Sequence, residues 1–276
     1  MRAVIAVLKE QIQSFYLVRR LSVYEMKSSN RNNYLGVLWE IINPMIQIAI
    51  YWFVFGYGIF NSGGRGNVDL NGVLIPYFPW MLSGFVVWFF MNQAILQGSK
   101  SIYSRIQMIS KMSFPMSVVP TYVIFSLFYQ HIMLLVIVLV IFQFLGYPFN
   151  IFYSQLPYFI IATLFFLVAL SLITSTISTI VRDFQMLIQS LVRILIYLSP
   201  FLWPPYHLQP EIIQTIMKLN PIYYLAEGYR ASILGLSWYP IEHWEYTLYF
   251  WGITLILLFF GSVLHMKFRD RFVDFL

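Results

Sequence analysis

The stretch MSFPMSVVPTYVIFSLFYQHIMLLVIVLVIFQFLGYPFNIFYSQLPYFIIATLFFLVALSLITSTISTIV, residues 112–181, contains no Lys, Arg, Asp or Glu. A bilayer core takes about 20 apolar residues per helical crossing, so this segment alone holds at least two. The flanks share its character: the whole chain is 59% hydrophobic, 20% aromatic and 10% charged, with mean hydropathy +0.71. A soluble domain carries about 25% charged residues, and a water-facing surface cannot be built from so few. Backbone amides find no water in lipid, which leaves helices or a closed barrel. Barrel strands alternate apolar and polar over about 10 residues, whereas Ile132 to Leu145 is almost uninterrupted aliphatic and aromatic. The chain reads as an all-α integral membrane protein.

Apolar runs place crossings at 36–60, 74–97, 116–145, 157–181, 186–204 and 244–266, six in all. Breakers fall at their limits: Asn61-Ser62-Gly63-Gly64 follows the first, and Gly146-Tyr147-Pro148 separates the third from the fourth. Basic residues in short loops stay on the cytoplasmic side. Arg2, Lys9, Arg19, Arg20, Lys27 and Arg31 precede the first crossing, Lys100, Arg105 and Lys111 lie between the second and third, and Lys267, Arg269 and Arg271 follow the last; the other side has Arg65, Lys218 and Arg230. Both termini are therefore expected in the cytoplasm, and the net charge of +6 is a topology signal before it is a nucleic-acid signal. The N-terminal MRAVIAVLKEQIQSFYLVRR lacks the long apolar core and small-residue cleavage site of a secretory signal, so the first crossing is expected to direct insertion. The expected division is an interface helix over 1–35, a transmembrane unit over 36–266 and a cytoplasmic tail over 267–276.

Three segments are neither crossings nor simple turns. Val4, Leu8, Ile12 and Phe15 recur at helical spacing opposite Lys9, Gln11 and Gln13, the pattern of an amphipathic helix lying in the interface. In GSKSIYSRIQMISKMSFP, Ile102, Ile106 and Ile109 form one stripe while Lys100, Arg105 and Lys111 stay wet, which describes a short cytoplasmic helix that either docks on a partner or lies against lipid. Between Trp203 and Trp244 two short helical patterns follow Pro210 and Pro221, EIIQTIMKL and IYYLAEGYRASIL. Neither can span, and a re-entrant or interfacial outer hairpin fits, whose Glu211, Lys218, Glu227 and Arg230 are expected to serve an outer gate, with packing of the outer wall as the alternative.

Catalytic chemistry is missing from the pattern. Paired carboxylates, H-E-x-x-H, D-x-D and the phosphate loop are absent; Gly63-Gly64-Arg65-Gly66 lacks the loop's lysine. The chain has no Cys and four scattered His, so neither disulfides nor a Cys-based metal site is available. His131, mid-crossing among aliphatics, reads as a structural imidazole bonded to a neighbouring helix, with a proton relay as the alternative. Ionisable groups in a crossing need a partner or a wet path. Arg193 either pairs with Glu40, as a structural intramembrane pair or otherwise, or meets a phosphate in transit. Aromatics crowd the first two crossings, as belts or as a lining against which sugar faces can slide. The channel candidates are Glu40, Tyr51, Trp52, Phe55, Arg193 and Trp203.

Several ordered blocks carry a family resemblance: Arg19-Arg20-Leu21, Lys27-Ser28, Tyr34-Leu35-Gly36-Val37-Leu38-Trp39 running to Asn43-Pro44, Lys111-Met112-Ser113-Phe114-Pro115 with Pro120, Arg182-Asp183, Ser199-Pro200, and Asn220-Pro221 through Tyr229-Arg230. Together they resemble ABC-2 type permease subunits that export polysaccharides and teichoic acids, over nearly the whole chain. NYLGVLWEIINP, YWFVFGYGIF and PYFPWMLSGFVVWFF look most like the wall teichoic acid permeases of Gram-positive bacteria, with O-antigen and capsule exporters as the alternative. The resemblance implies a homodimer in the cell membrane with two copies of a separate ATPase subunit, which would hold the ATP and Mg, and an undecaprenyl-diphosphate-linked polymer as substrate. It implies a coupling helix at Ser101, Ile102, Tyr103, Arg105, Ile106 and Gln107, continued by Ile109, and a substrate entrance framed by Arg19, Arg20 and Lys27. The same plan also serves exporters of small drugs or lipids. An ion-coupled transporter or a membrane enzyme would want intramembrane carboxylates or an inverted repeat that the sequence does not display.

Overall fold

The structure is a computed structural model that describes residues 2–29, 31, 34–61, 66–70, 72–106, 115–206 and 211–275. Helix α1 (Arg2–Gln13) runs through Ser14 into α2 (Phe15–Ser29), with Ser14 N donating to Glu10 O and Val18 N to Ser14 O, so the two form one long amphipathic rod. Its apolar stripe turns outward: Leu8, Ile12 and Phe15 are exposed, as an interface helix requires. The side that packs on the protein is more polar than the sequence predicts. Gln11, expected in water, donates its Nε2 to Ser117 O at 2.8 Å, and Glu10 accepts from Ser117 Oγ at 2.5 Å and from Arg269 at 2.8 Å. Ser22 anchors α2 further along by donating to Tyr122 O at 2.9 Å.

The first crossing opens with a 3-10 turn at Gly36–Leu38, continues as α3 (Trp39–Tyr51) and widens into a π-helical segment, Trp52–Asn61. Pro44 inside α3 offers no N–H to Glu40 and loosens that turn. A two-stranded hairpin follows, β1 (Asn67–Leu70) against β2 (Val73–Pro76), in register Val68↔Ile75. Gly72 closes it at φ +90°, donating its N–H to Asp69 Oδ1 at 2.7 Å. The sequence expectation ran the second crossing from residue 74 and missed this hairpin, although Asn71-Gly72 between short apolar runs is a hairpin signal.

Helix α4 (Tyr77–Ser99) is the axis of the molecule. Its apolar window is 83% buried, whereas that of the first crossing is 6% buried. Around α4 pack α5 (Val118–Phe144), α6 (Leu156–Ile180), α7 (Phe184–Leu198) and α9 (Pro221–Leu234); α8 (Glu211–Lys218) precedes α9, and α10 (Tyr239–Glu242) leads into α11 (Trp244–Phe268), which lies along α6. Asn150 caps the 3-10 turn Ile151–Gln155 that leads into α6, accepting Phe152 N at 2.9 Å, and Gly235 ends α9 in the left-handed region at φ +70°. Gly228 lets α9 approach α6: a Cβ there would stand 2.0 Å from the Phe159 ring.

Five helices among the described residues are long and apolar enough to cross a membrane. The sixth expected crossing, 186–204, is shorter than read: α7 has 15 residues, about 22 Å at 1.5 Å per residue against a core of roughly 30 Å. It ends at Ser199-Pro200, where the missing proline N–H stops helix propagation. The expected tail is not free either. A 3-10 segment, Arg269–Phe275, follows α11, and Phe272 is buried against α2 and the 102–106 turn.

Candidate functional site

At the face that carries both termini, Ile102 and Ile106 are buried with Val18 of α2, Val118, Val119, Tyr122 and Val123 of α5, and Phe272. The stripe expected to dock on a partner therefore faces this chain's own helices, because α2 and the start of α5 offer it the apolar side chains Val18, Val118, Val119, Tyr122 and Val123. Ser101 is buried with it. Tyr103 and Arg105 lie in a 3-10 turn and are half-buried, while Ser104 is exposed, so the wet edge is Lys100, Tyr103 and Ser104. Arg105 pairs with Glu25 of α2 and donates to Ser104 Oγ at 3.0 Å. Burial raises the Tyr103 hydroxyl above its ordinary pKa, and the Arg182 charge opposes that shift. Gln107 and Ile109 lie outside the described residues.

Arg19, Arg20 and Lys27 are exposed on α2, on the side away from Val18 and Ser22. Tyr16 and Tyr24 stand among them, exposed. The three cations thus share one open basic face at helical spacing, held in place by the contacts of the opposite face.

The channel candidates divide. Tyr51 and Phe55 lie 6.5 Å apart between ring centroids, and Tyr51 packs on Phe85 of α4 at 5.2 Å. Phe85 in turn meets Phe201, which meets Trp88, so an aromatic run joins α3, α4 and the end of α7. Trp52 stacks edge-on against Phe78, and Trp203 Nε1 donates to Tyr197 O at 2.9 Å. Arg193 is elsewhere. Gln185, Ile188, Val192 and Ile196 form the buried stripe of α7 against α4 and α6, which turns Arg193, one residue past Val192, to the exposed side. Glu40 is half-buried, and no Glu40–Arg193 ion pair forms among the described residues.

Of the four residues assigned to an outer gate, Glu211 and Lys218 lie on α8 and Glu227 and Arg230 on α9. Glu211 opens α8 and Lys218, exposed, closes it. Glu227 and Arg230 are buried in α9, Arg230 completely. Arg230 pairs with Glu227, donates Nη2 to Pro200 O at 2.5 Å, Nε to Trp80 O at 3.3 Å and Nη1 to Tyr206 at 3.2 Å, and lies 4.2 Å from the Trp80 ring centroid. Tyr206 donates to Glu227 at 3.0 Å and accepts Trp80 Nε1 at 3.1 Å. One guanidinium thus joins α4, α9 and the bend after α7, satisfying the Pro200 carbonyl that the helix end leaves open. Gly84 makes room for it: a Cβ there would stand 2.8 Å from Nη2. Sequence reasoning placed Arg230 with the outer cations and missed Tyr206, Trp80 and Gly84; an arginine in an otherwise apolar helix was the signal to look for buried partners. His131, read as structural, meets Tyr229 of α9 at 3.0 Å and stacks on Phe90.

A profile of the ABC-2 type transporter matches residues 16–234. The chain is similar to the O-antigen export system permease protein RfbA of Myxococcus xanthus, 25% identical over 272 residues that cover 98% of this chain and 99% of that protein. Two O-antigen export system permease proteins of Klebsiella pneumoniae are 25% and 23% identical over 257 and 254 residues, each covering 91% of this chain and 92% of theirs. The profile match takes in the basic face of α2, the 101–106 turn and the Arg230 network, and the chain belongs to the ABC-2 type transporter family.

Proposed function

We propose that this membrane subunit works in an ATP-driven exporter that carries a lipid-linked polysaccharide of the O-antigen kind to the outer face of the cell membrane. The observation that carries the reading is the end-to-end similarity to permeases named for O-antigen export. It favours the polysaccharide alternative over wall teichoic acid, and the Gram-positive source expected with the latter loses its support. In this reading six crossings, α7 being the short one, set both termini in the cytoplasm and the β1–β2 hairpin outside. Helix α9 then re-enters the membrane, supported by the contact of Tyr229 with His131 near the middle of α5.

Two such chains work with two copies of a separate ATPase that holds ATP and Mg. The exposed surfaces of α3 and α7, including Arg193, support a second copy as their cover, because an arginine facing lipid would be costly. Arg19, Arg20 and Lys27 attract the diphosphate of an undecaprenyl-type carrier at the cytoplasmic entrance. The 101–106 turn takes up movement of the ATPase through its wet edge, and movement of α8 and α9 opens the outer exit. In cells lacking this chain, lipid-linked polysaccharide is expected to accumulate on the inner leaflet and to reach the surface again on complementation. Surface polysaccharide at the normal level without the chain would overturn the reading.

A further inference from the structure

On the hairpin side of the molecule a cavity of about 1000 Å³ opens between Leu70 and Val73 of the hairpin, α8, α9 and the start of α11. Its volume is at the upper end of the roughly 300–1,000 Å³ range of small-molecule sites. Tyr223 and Tyr239 line it and are 5% and 9% exposed, yet neither hydroxyl makes a hydrogen bond among the described residues. Their neighbour Tyr206 is fully engaged with Glu227 and Arg230. Tyr246 adds a third ring, 6.3 Å from Tyr223, and its hydroxyl is buried without a partner among the described residues. Hydroxyls left open in a buried aromatic wall point to a ligand that offers both apolar faces and hydrogen-bonding groups.

Charge narrows the class. Glu227, Glu242 and Glu245 line the cavity against Lys218, and Arg230 beneath neutralises Glu227, which leaves one net negative charge. A polyol phosphate would need paired cations here and would meet carboxylates instead. Among the described residues no group of three or more His, Cys, Asp or Glu could hold a metal ion to reverse that balance. We propose that this cavity is a saccharide site that takes a short neutral segment of the exported polymer, with sugar CH faces on the tyrosine rings and sugar hydroxyls bonded to Tyr223, Tyr239 and the rim carboxylates. The assignment rests on the export reading above.

The test uses the full chain with its ATPase in lipid nanodiscs and saturation-transfer NMR. The probes are a panel of neutral hexose, deoxyhexose and N-acetylhexosamine oligosaccharides and an oligomer of glycerol phosphate. At least one neutral oligosaccharide is expected to bind, and Tyr223→Phe with Tyr239→Phe, which remove only hydroxyls without protein partners, should weaken it about tenfold. The glycerol phosphate oligomer should show no binding that these changes affect, until Glu245→Lys at the exposed rim admits it. Three results would each overturn the site: no neutral oligosaccharide binds, binding is unmoved by the tyrosine changes, or the glycerol phosphate oligomer binds the unaltered cavity more tightly. Surface polysaccharide in cells lacking the chain reports separately. Export without saccharide binding removes the site alone, and binding without export removes the export reading.

Discussion

Arg230 concentrates the energetic cost of this fold in one side chain. A guanidinium with no exposure has left water entirely, and its stability depends on Glu227, Tyr206 and two carbonyls being in place. Removing one partner of such a pair typically costs about 3–5 kcal/mol, because the other charge is left buried and unpaired. Arg230→Met and Glu227→Gln should therefore each lower the thermal unfolding temperature of the purified chain sharply. The double change should lose less than the sum of the two, since neither charge is then stranded. Strictly additive losses in the full cycle would show that the pair is not coupled. The identity of Arg230 was plain in the sequence; its partners lie 150, 30 and 24 residues away and were not.

At the scale of elements, the turn over 101–106 shows how a helical stripe can be read correctly and assigned to the wrong neighbour. The spacing of Ile102 and Ile106 does mark one buried face, but that face is covered by α2, α5 and Phe272 of the same chain. Ile102→Asp buries a carboxylate there, at a cost of several kcal/mol, and is expected to reduce the amount of folded chain in the membrane. Ser104→Asp, on the wet edge, should leave that amount unchanged and weaken copurification of the ATPase. Fluorescence-detected size exclusion and pull-down from the same membranes separate the two outcomes; equal loss of folded chain in both variants would contradict the assignment of faces. The same logic explains α1, where Gln11 and Glu10 look like solvent residues and instead bind Ser117 and Arg269.

For the whole molecule, the contrast between α4 and the first crossing sets the expectation for assembly. One is 83% buried and the other 6%, and Arg193 projects from the open side of α7 beside exposed Leu191 and Ile194. The chain has no cysteine, so Arg193→Cys gives a clean probe. It is expected to react with a water-soluble thiol reagent or to cross-link two copies, while Leu187→Cys on the same helix reacts more slowly; an unreactive thiol at 193 that never cross-links would place that face in lipid. The sequence by itself determined the class, the approximate crossings and their breaks, because lipid forces every backbone amide into a helix and tolerates few charges along it. The amphipathic pattern of Val4, Leu8, Ile12 and Phe15 was legible from local periodicity, and Arg19, Arg20 and Lys27 stood out as charge ahead of the first crossing, but that these three share one open face of α2 was not. Only the tertiary structure decided which side of each helix faces inward. Crossings that are apolar all round carry no periodic signal of facing, and the close approach at Gly228, the Arg230 network and the open tyrosine hydroxyls at 223 and 239 arise from contacts between segments far apart in the chain.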